Sequence, residues 1–434
     1  VIYWCERAWL PEGVVAGVLV RVGDDGRITE VSTSDSAPPD ATRLTGIVLP
    51  GFANAHSHAF HRALRGRTHA DGGTFWTWRQ AMYQLAERLT PESYLKLATA
   101  VFAEMAVAGI SCVGEFHYLH HGPGGKPYAD PNEMGHVLRE AAVRAGIRIT
   151  LLDTCYVAGG IGTELTGTQL RFNDGDATRW AARVSALRSD EVMRVGAAIH
   201  SVRGVPREQL ADVAGFDGPL HVHLSEQPAE NEACLAAYGK TPTGLLAEAG
   251  VLSPRTTAVH ATHLTEDDRA LLGGSTTTAC FCPTTEADLA DGIGPARELV
   301  DAGSPLSLGS DQHVVIDPLV ETRALEHGER LRTGQRGRFA PEELLAAATV
   351  AGHACLGWPD AGRIAVGARA DLVAVRLDSI RTAGSRPEQV LLTANASDVD
   401  AVLVDGRVVA TRGRHATLGD VGALLADVMG ELWR

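Results

Sequence analysis

Two hydrophobic rhythms share this chain. From Gly17 to Val31, β-branched residues alternate with polar ones on both sides of Asp25-Gly26, the pattern and turn dipeptide of a β-hairpin. Ala401 to Ala410 repeats that grammar around Asp405-Gly406, and Gly362 to Val375 adds further strand-like runs. The two chain ends are therefore expected to build one small β-sandwich domain together, residues 1–46 plus 361–417. Residues 418–434 are expected to form a C-terminal helix.

Between Ile47 and Asp360 the rhythm changes. Short apolar runs near 47–55, 110–117, 147–156, 193–200, 219–224, 256–260, 276–281 and 305–310 alternate with longer stretches rich in Ala, Leu and Glu. Strands alternating with helices specify a parallel α/β fold, and eight such units predict a TIM-like (β/α)8 barrel over 47–360. The stretch from Ala158 to Asp176, glycine-containing and without periodicity, reads as a long loop over the barrel mouth.

The 434 residues are enough for such a barrel and a smaller domain. No apolar run approaches the roughly 18 to 20 residues a membrane-crossing helix needs, and Val1 to Leu10 lacks the basic-then-apolar order of a secretory leader. A cytoplasmic protein without a membrane partner is the expectation. The formal net charge of -14, with no compensating basic patch, argues against nucleic acid and leaves room for a small anionic substrate where arginines gather. Seven widely scattered cysteines read as reduced thiols, and Cys280-x-Cys282 is too closely spaced for a zinc knuckle and reads as strand packing.

The candidate chemistry sits at the ends of the expected strands. In Asn54-Ala-His-Ser-His58, an extended backbone points His56 and His58 to the same side, within reach of a shared metal ion. That pair alone is unspecific. It gains weight from His223, which ends the fifth strand, and Asp311, which ends the eighth. Three neutral imidazoles and one carboxylate suit zinc and leave a position open for water. Glu226, three residues past His223, can turn back over the site as a general acid or base, and His260 follows the sixth strand close enough to reach the same water. His221 reads as a hydrogen-bonded core histidine one layer lower, and His263 as a local packing residue.

Laid out in this order, the motifs resemble the amidohydrolase superfamily over nearly the full length, from Pro50-Gly-Phe-Ala-Asn-Ala-His-Ser-His58 to the Ala370-Asp371 dipeptide after Gly362-Arg-Ile. The order His-x-His, His with Glu three residues on, a further His, then Asp is similar to the single-metal deaminase branch. A narrower resemblance, to the formimidoylglutamate deiminase family, rests on His58-Ala-Phe-His-Arg-Ala63, Thr74-Phe-Trp-Thr-Trp-Arg-Gln80, Glu115-Phe-His-Tyr-Leu-His-His121, Ser225-Glu-Gln227 and Cys282-Pro-Thr-Thr-Glu286. The resemblance implies His56, His58, His223 and Asp311 as ligands of one divalent metal ion, most naturally Zn2+, and Glu226, His260 and Asp311 as catalytic groups. It implies Arg79, Tyr118, His200 and Arg203 as substrate-binding, and a homodimer. Two positions depart from the family pattern: His61 stands where Gln is usual, at a position expected to touch substrate, and Gln312 stands where Ser is usual.

The function expected from the resemblance is hydrolytic deamination of N-formimidoyl-L-glutamate to N-formyl-L-glutamate and ammonia. Two alternatives stay open: deamination of another amidine, a guanidino acid or a nucleobase, and a non-catalytic barrel of the same fold. Carboxylate-binding arginines count against a ring substrate, and a complete ligand set counts against loss of catalysis.

Overall fold

The structure is a computed structural model describing residues 1–69 and 73–434. Eight parallel strands make the barrel: β1 (Phe52–Ser57), β2 (Ile110–His117), β3 (Arg148–Cys155), β4 (Met193–Ile199), β5 (Leu220–Leu224), β6 (Thr256–His260), β7 (Thr278–Phe281) and β8 (Leu306–Leu308). Ladders join them in chain order. Every residue of β2 and β3 is buried, as a parallel sheet covered by outer helices requires.

The circle closes between β8 and β1 by a single parallel bridge, Ser57 with Asp311. The backbone N–H groups of Ser310 and Asp311 both donate to the His56 carbonyl (3.1 and 3.0 Å), and the N–H of His58 donates to the Asp311 carbonyl at 3.2 Å. This approach is close enough to require glycine at 309, because a Cβ there would lie 2.7 Å from the His56 Cβ and 2.8 Å from its carbonyl oxygen.

A second sheet of nine strands gathers the chain ends, in the order Arg414–His415, Arg407–Thr411, Val399–Val404, Leu372–Val375, Ile47–Pro50, Ile2–Leu10, Gly13–Val22, Ile28–Thr33, with Thr42–Leu44 beside Ile2–Leu10. Apolar residues from both ends, among them Tyr3, Val18, Leu372 and Leu403, share one core. Both Asp-Gly hairpins are present. At Asp405-Gly406 the two residues have φ of 48° and 72°, the left-handed pair that such a turn needs.

The expected first barrel strand, 47–55, is divided. Ile47–Pro50 pairs with Leu372–Val375 in the second sheet, and only from Phe52 does the chain enter the barrel. Residues Ile47 to Phe52 are buried throughout, so apolar pattern alone cannot show where the chain crosses between sheets.

Two further elements frame the barrel mouth. Helix Phe75–Arg88, capped by Thr74, buries Phe75, Trp78, Met82, Leu85 and Ala86 at helical spacing. The loop after β3 contains a short 3-10 helix, Gly167–Phe172, in which Gln169 donates to the hydroxyls of Tyr83 and Tyr156. A C-terminal helix, Val421–Leu432, packs Val421 and Leu425 on Ala100 and Ala103. Among the described residues, no helix is long and apolar enough to cross a membrane.

The two sheets are joined by a buried charge cluster. Arg148 of β3 bonds both carboxylate oxygens of Asp371, reaches Asp405 at 3.1 Å, and lies 5.3 Å from the Trp358 ring centroid. Removing one partner of a buried pair leaves the other charge uncompensated. Asp371→Ala is therefore expected to lower unfolding free energy by about 3 to 5 kcal/mol in urea titrations. Asp371→Asn removes the charge but keeps one acceptor oxygen for the Asp405 N–H; a loss as large as that of Asp371→Ala would show that the charge stabilises the junction, and near wild-type stability would show that it does not.

Candidate metal centre and active site

The strand ends bring four predicted ligands together: one donor atom each from His56, His58, His223 and Asp311 lies within 4.8 Å of the others, and all four residues are buried. His56 Nε2 faces His223 Nε2 at 3.1 Å and Asp311 Oδ1 at 3.1 Å, and His58 Nε2 is 3.4 Å from the same oxygen.

The outer nitrogens decide what those inner ones present. His58 Nδ1 is 2.8 Å from the Phe116 carbonyl and His223 Nδ1 is 2.9 Å from the His200 carbonyl, so each outer nitrogen carries the proton and donates it. Each Nε2 is then left as a lone pair facing the ligand group, that of His58 toward Asp311 Oδ1 and that of His223 toward His56 Nε2. Burial keeps the imidazoles neutral, lowering His56 to about 3 and His58 to about 4. Asp311 is also buried, but the His56 hydrogen bond and the charge of His260 hold it below the usual carboxylate range. Converging lone pairs around one carboxylate form a donor set that a divalent cation fits, with the second ring nitrogens of His58 and His223 oriented by carbonyls as in metal-bound histidines.

His260 stands beside this group with both ring nitrogens facing carboxylates: Nδ1 is 3.4 Å from Glu286 Oε1 and Nε2 is 3.7 Å from Glu226 Oε1. Burial opposes its charge, yet Glu226, Glu286 and Asp311 raise it well above the usual histidine range, which makes it a donor at neutral pH. Asp291, buried and close to Glu226, is pushed up to about 9 and receives a hydrogen bond from Gln227.

The same cleft is lined by His61, Arg79, Tyr118, His200 and Arg203, so all five predicted substrate-side residues face one space with the ligand group. His61 Nε2 and the Tyr118 hydroxyl are 2.8 Å apart. Arg79 donates to the Tyr156 hydroxyl at 3.2 Å and lies over the Trp76 and Tyr83 rings. His200 stacks on Tyr156 with ring centroids 3.9 Å apart. Arg203 lies between two carboxylates, 3.5 Å from Glu226 and 3.6 Å from the buried Glu230.

Backbone strain marks the same place. Ser225, His260, Ala261, Asp311 and His313 all have positive φ, between 41° and 70°, without being glycine. Such conformations persist where surrounding structure over-determines them, and these cluster at strand ends that aim side chains into the cleft.

His221 and His263, read as lying outside the site, face backbone carbonyls: His221 lies 3.2 Å from that of Cys355, and His263 lies 2.7 Å from that of Asp291. Sequence reading missed Glu230, Glu286 and Asp291, as well as Phe75, Trp78 and Met82, which line the cleft from the helix over the mouth. Glu286 lay within the quoted Cys282-Pro-Thr-Thr-Glu286 motif, which was the available signal. Gln312, where Ser was expected, donates to Asp288 at 2.8 Å. All seven cysteines are free thiols.

Two other features invite a functional reading and do not sustain it. His117, His120 and Asp153 also group closely, but Arg183 donates to both oxygens of Asp153 (2.8 and 2.7 Å) and Trp180 adds a third bond, so a guanidinium already neutralises that carboxylate. A larger groove of about 1220 Å3 lies along the chain-end strands, where Arg376 pairs with Asp378 and Arg412 with Asp400, and no histidine lines it.

Comparison with known proteins agrees with this geometry. Residues 47–409 match the model of the amidohydrolase family. The chain is 37% identical to the formimidoylglutamate deiminase of Pseudomonas aeruginosa over 99% of both chains. It superposes with TM-score 0.93 on the crystal structure of an amidohydrolase from Brucella melitensis, at 32% identity and covering 100% of both chains. The fold is also that of an adenosine deaminase from Xanthomonas campestris solved with bound zinc, with TM-score 0.84 and 24% identity, covering 99% of this chain and 97% of that one. An eight-stranded parallel barrel with a smaller sheet of chain-end strands, a buried His/Asp ligand group at its mouth and a family match over most of its length together make this chain a member of the amidohydrolase family.

Proposed function

We propose that the protein deaminates N-formimidoyl-L-glutamate by hydrolysis, releasing ammonia and N-formyl-L-glutamate, with one zinc ion held by His56, His58, His223 and Asp311. The observation that carries this reading is the polarity of a single cleft. Carboxylates stand at Glu226 and Asp311, Arg203 lies beside Glu226 at 3.5 Å, and Arg79, His200 and the His61–Tyr118 pair line the remainder. A linear substrate with an amidine at one end and carboxylates at the other matches that distribution. The 37% identity to a formimidoylglutamate deiminase over both full lengths supports the same substrate.

A divalent ion in the ligand group supplies water acidified toward neutrality, at a pKa near about 7. The chain's own groups handle the protons. Asp311, kept ionised by its histidine neighbours, accepts a proton from the attacking water. His260, charged between Glu226 and Glu286, donates toward the oxygen that bonds the formimidoyl carbon as the tetrahedral centre forms. Glu226 takes the other proton of the attacking water as its oxygen bonds the formimidoyl carbon; both protons pass to the imino nitrogen, which leaves as ammonia while its C–N bond breaks and the formyl C=O forms. Arg203 and Arg79 hold the carboxylates, for which a planar guanidinium offers paired donors.

Glu226→Gln is expected to keep its metal while losing about 10²- to 10⁴-fold in kcat, the usual worth of a positioned acid or base; near-normal turnover would remove Glu226 from the chemistry. Arg203→Ala should raise KM by about tenfold or more, the scale of one lost charge-assisted hydrogen bond. An unchanged KM would take Arg203 out of the substrate site. Ammonia release is expected to be fastest with N-formimidoyl-L-glutamate. If the guanidino or aspartate analogue is turned over faster, the substrate assignment fails and the reaction class survives.

A further inference from the structure

We infer that Glu115, Ser57, His313, Ser310 and Asn54 form a buried relay that fixes the two ligand-bearing edges of the barrel, and that Glu115 and His313 are positioning residues for the metal without touching it. The inference rests on the metal reading above and adds residues assigned no part in it.

The relay runs along the seam between β1 and β8, outside the ring of candidate ligands. Ser57 Oγ is 2.5 Å from Glu115 Oε2 and 3.1 Å from His313 Nε2. His313 Nδ1 is 2.9 Å from Ser310 Oγ, which receives a hydrogen bond from the Asn54 amide at 2.7 Å. The Asn54 carbonyl oxygen accepts from the Ser310 N–H at 2.9 Å, and Glu115 Oε1 accepts from the Ala59 N–H at 2.6 Å. All five residues are buried. Ser57 lies between the ligands His56 and His58, Ser310 precedes Asp311, and His313 follows it by two.

Donor counting gives the chain one direction. The Asn54 carbonyl oxygen is engaged by a backbone N–H, so its amide nitrogen must donate to Ser310 Oγ. The Ser310 hydroxyl then donates to His313 Nδ1, which leaves His313 with its proton on Nε2. That proton goes to Ser57 Oγ, and the Ser57 hydroxyl donates to Glu115. The acceptor at the end must take from Ser57 and from Ala59 together, which an ionised carboxylate does. Reversing the chain leaves the Ser310 hydroxyl without an acceptor, a costly defect in a buried site. Burial pushes Glu115 up, to about 8, and the hydrogen bonds it accepts from Ser57, the Ala59 N–H and Tyr94 act in the opposite sense, toward its anion.

The relay has a mechanical reason to exist. The seam holds one β-bridge where the other strand pairs have ladders, yet His56, His58 and Asp311 sit on its two sides. Side-chain bonds across it replace missing ladder bonds and set the separation of donor atoms, and metal affinity depends on that separation.

The test is zinc affinity, measured on metal-free protein by competition with a chelating indicator. Wild-type protein is expected to bind one ion; failure there would overturn the metal reading and this inference with it. Glu115→Gln cannot accept from both Ser57 and Ala59, because one of its terminal atoms is a donor. It and His313→Ala are expected to weaken zinc by about 10- to 100-fold, and melting of the metal-free proteins reports any folding loss separately. Ser310→Ala deletes one oxygen and serves the same test should His313→Ala not fold. Glu115→Asp, which accepts at both oxygens, should retain more affinity than Glu115→Gln. Wild-type zinc affinity in the folded variants, or no advantage of Asp over Gln, would overturn the relay while leaving the metal reading intact.

Discussion

The structure depends most on the closure of its barrel between β1 and β8. Seven strand pairs form ladders, and the eighth is joined by one bridge at Ser57 and Asp311, held by the His56 and Asp311 carbonyls and made possible by Gly309. This is where chain beginning and chain end of the catalytic domain meet, and three candidate ligands lie on it. In a parallel barrel the side chains at the C-terminal rim come from strands far apart in sequence, so a ligand group forms only once closure has occurred. Fold and metal centre are one event along this seam.

The electrostatics follow from that geometry. Nε2 lone pairs of His58 and His223 face the ligand group that includes His56 and Asp311 because carbonyls hold the opposite ring nitrogens. Around them stand further buried carboxyl groups: Glu226 beside His260 and Arg203, Glu286 beside His260, and Asp291, which burial and Glu226 push up to about 9. Buried anions without enough cations are expensive. Under the proposed reading a divalent ion supplies that positive charge, and the left-handed backbone at Ser225, His260 and Asp311 is the conformational cost of pointing these groups inward.

Much of this was legible in the sequence because barrels place chemistry at strand ends, where an apolar run followed by His or Asp is readable without structure. Seven expected barrel strands appear where the pattern put them, and the first was misjudged at one end because Ile47–Pro50 is as apolar as the strand it precedes. The ligand group and the five cleft residues named from the sequence do converge. What pattern could not supply was the set of partners one layer out. Glu230, Glu286 and Asp291 lie in segments after strands, where an acidic residue ordinarily reads as solvated, and only burial reveals them. Asn54 and Ser57 are small polar residues inside the Asn54–His58 motif, and Ser310 directly precedes Asp311. Their importance lies in which atoms donate to which, and no spacing rule encodes that.

His61 brings these threads together. Its Nε2 meets the Tyr118 hydroxyl, its ring lies 4.5 Å from that of His58, and burial holds it well below the usual histidine range. A neutral imidazole there adds no charge to a cleft already lined by Arg79 and Arg203. It does add bulk beside a ligand, and as a neutral ring it either donates to the Tyr118 oxygen or accepts from its hydroxyl. In the proposed reading, the anionic end of the substrate is then recognised by Arg79 and Arg203, while His61 and Tyr118 shape the passage between them and the metal. Chain length between amidine and carboxylate, more than charge, becomes the property such a cleft discriminates, because the fixed seam at one end and the helix Phe75–Arg88 at the other leave the spacing set by the fold.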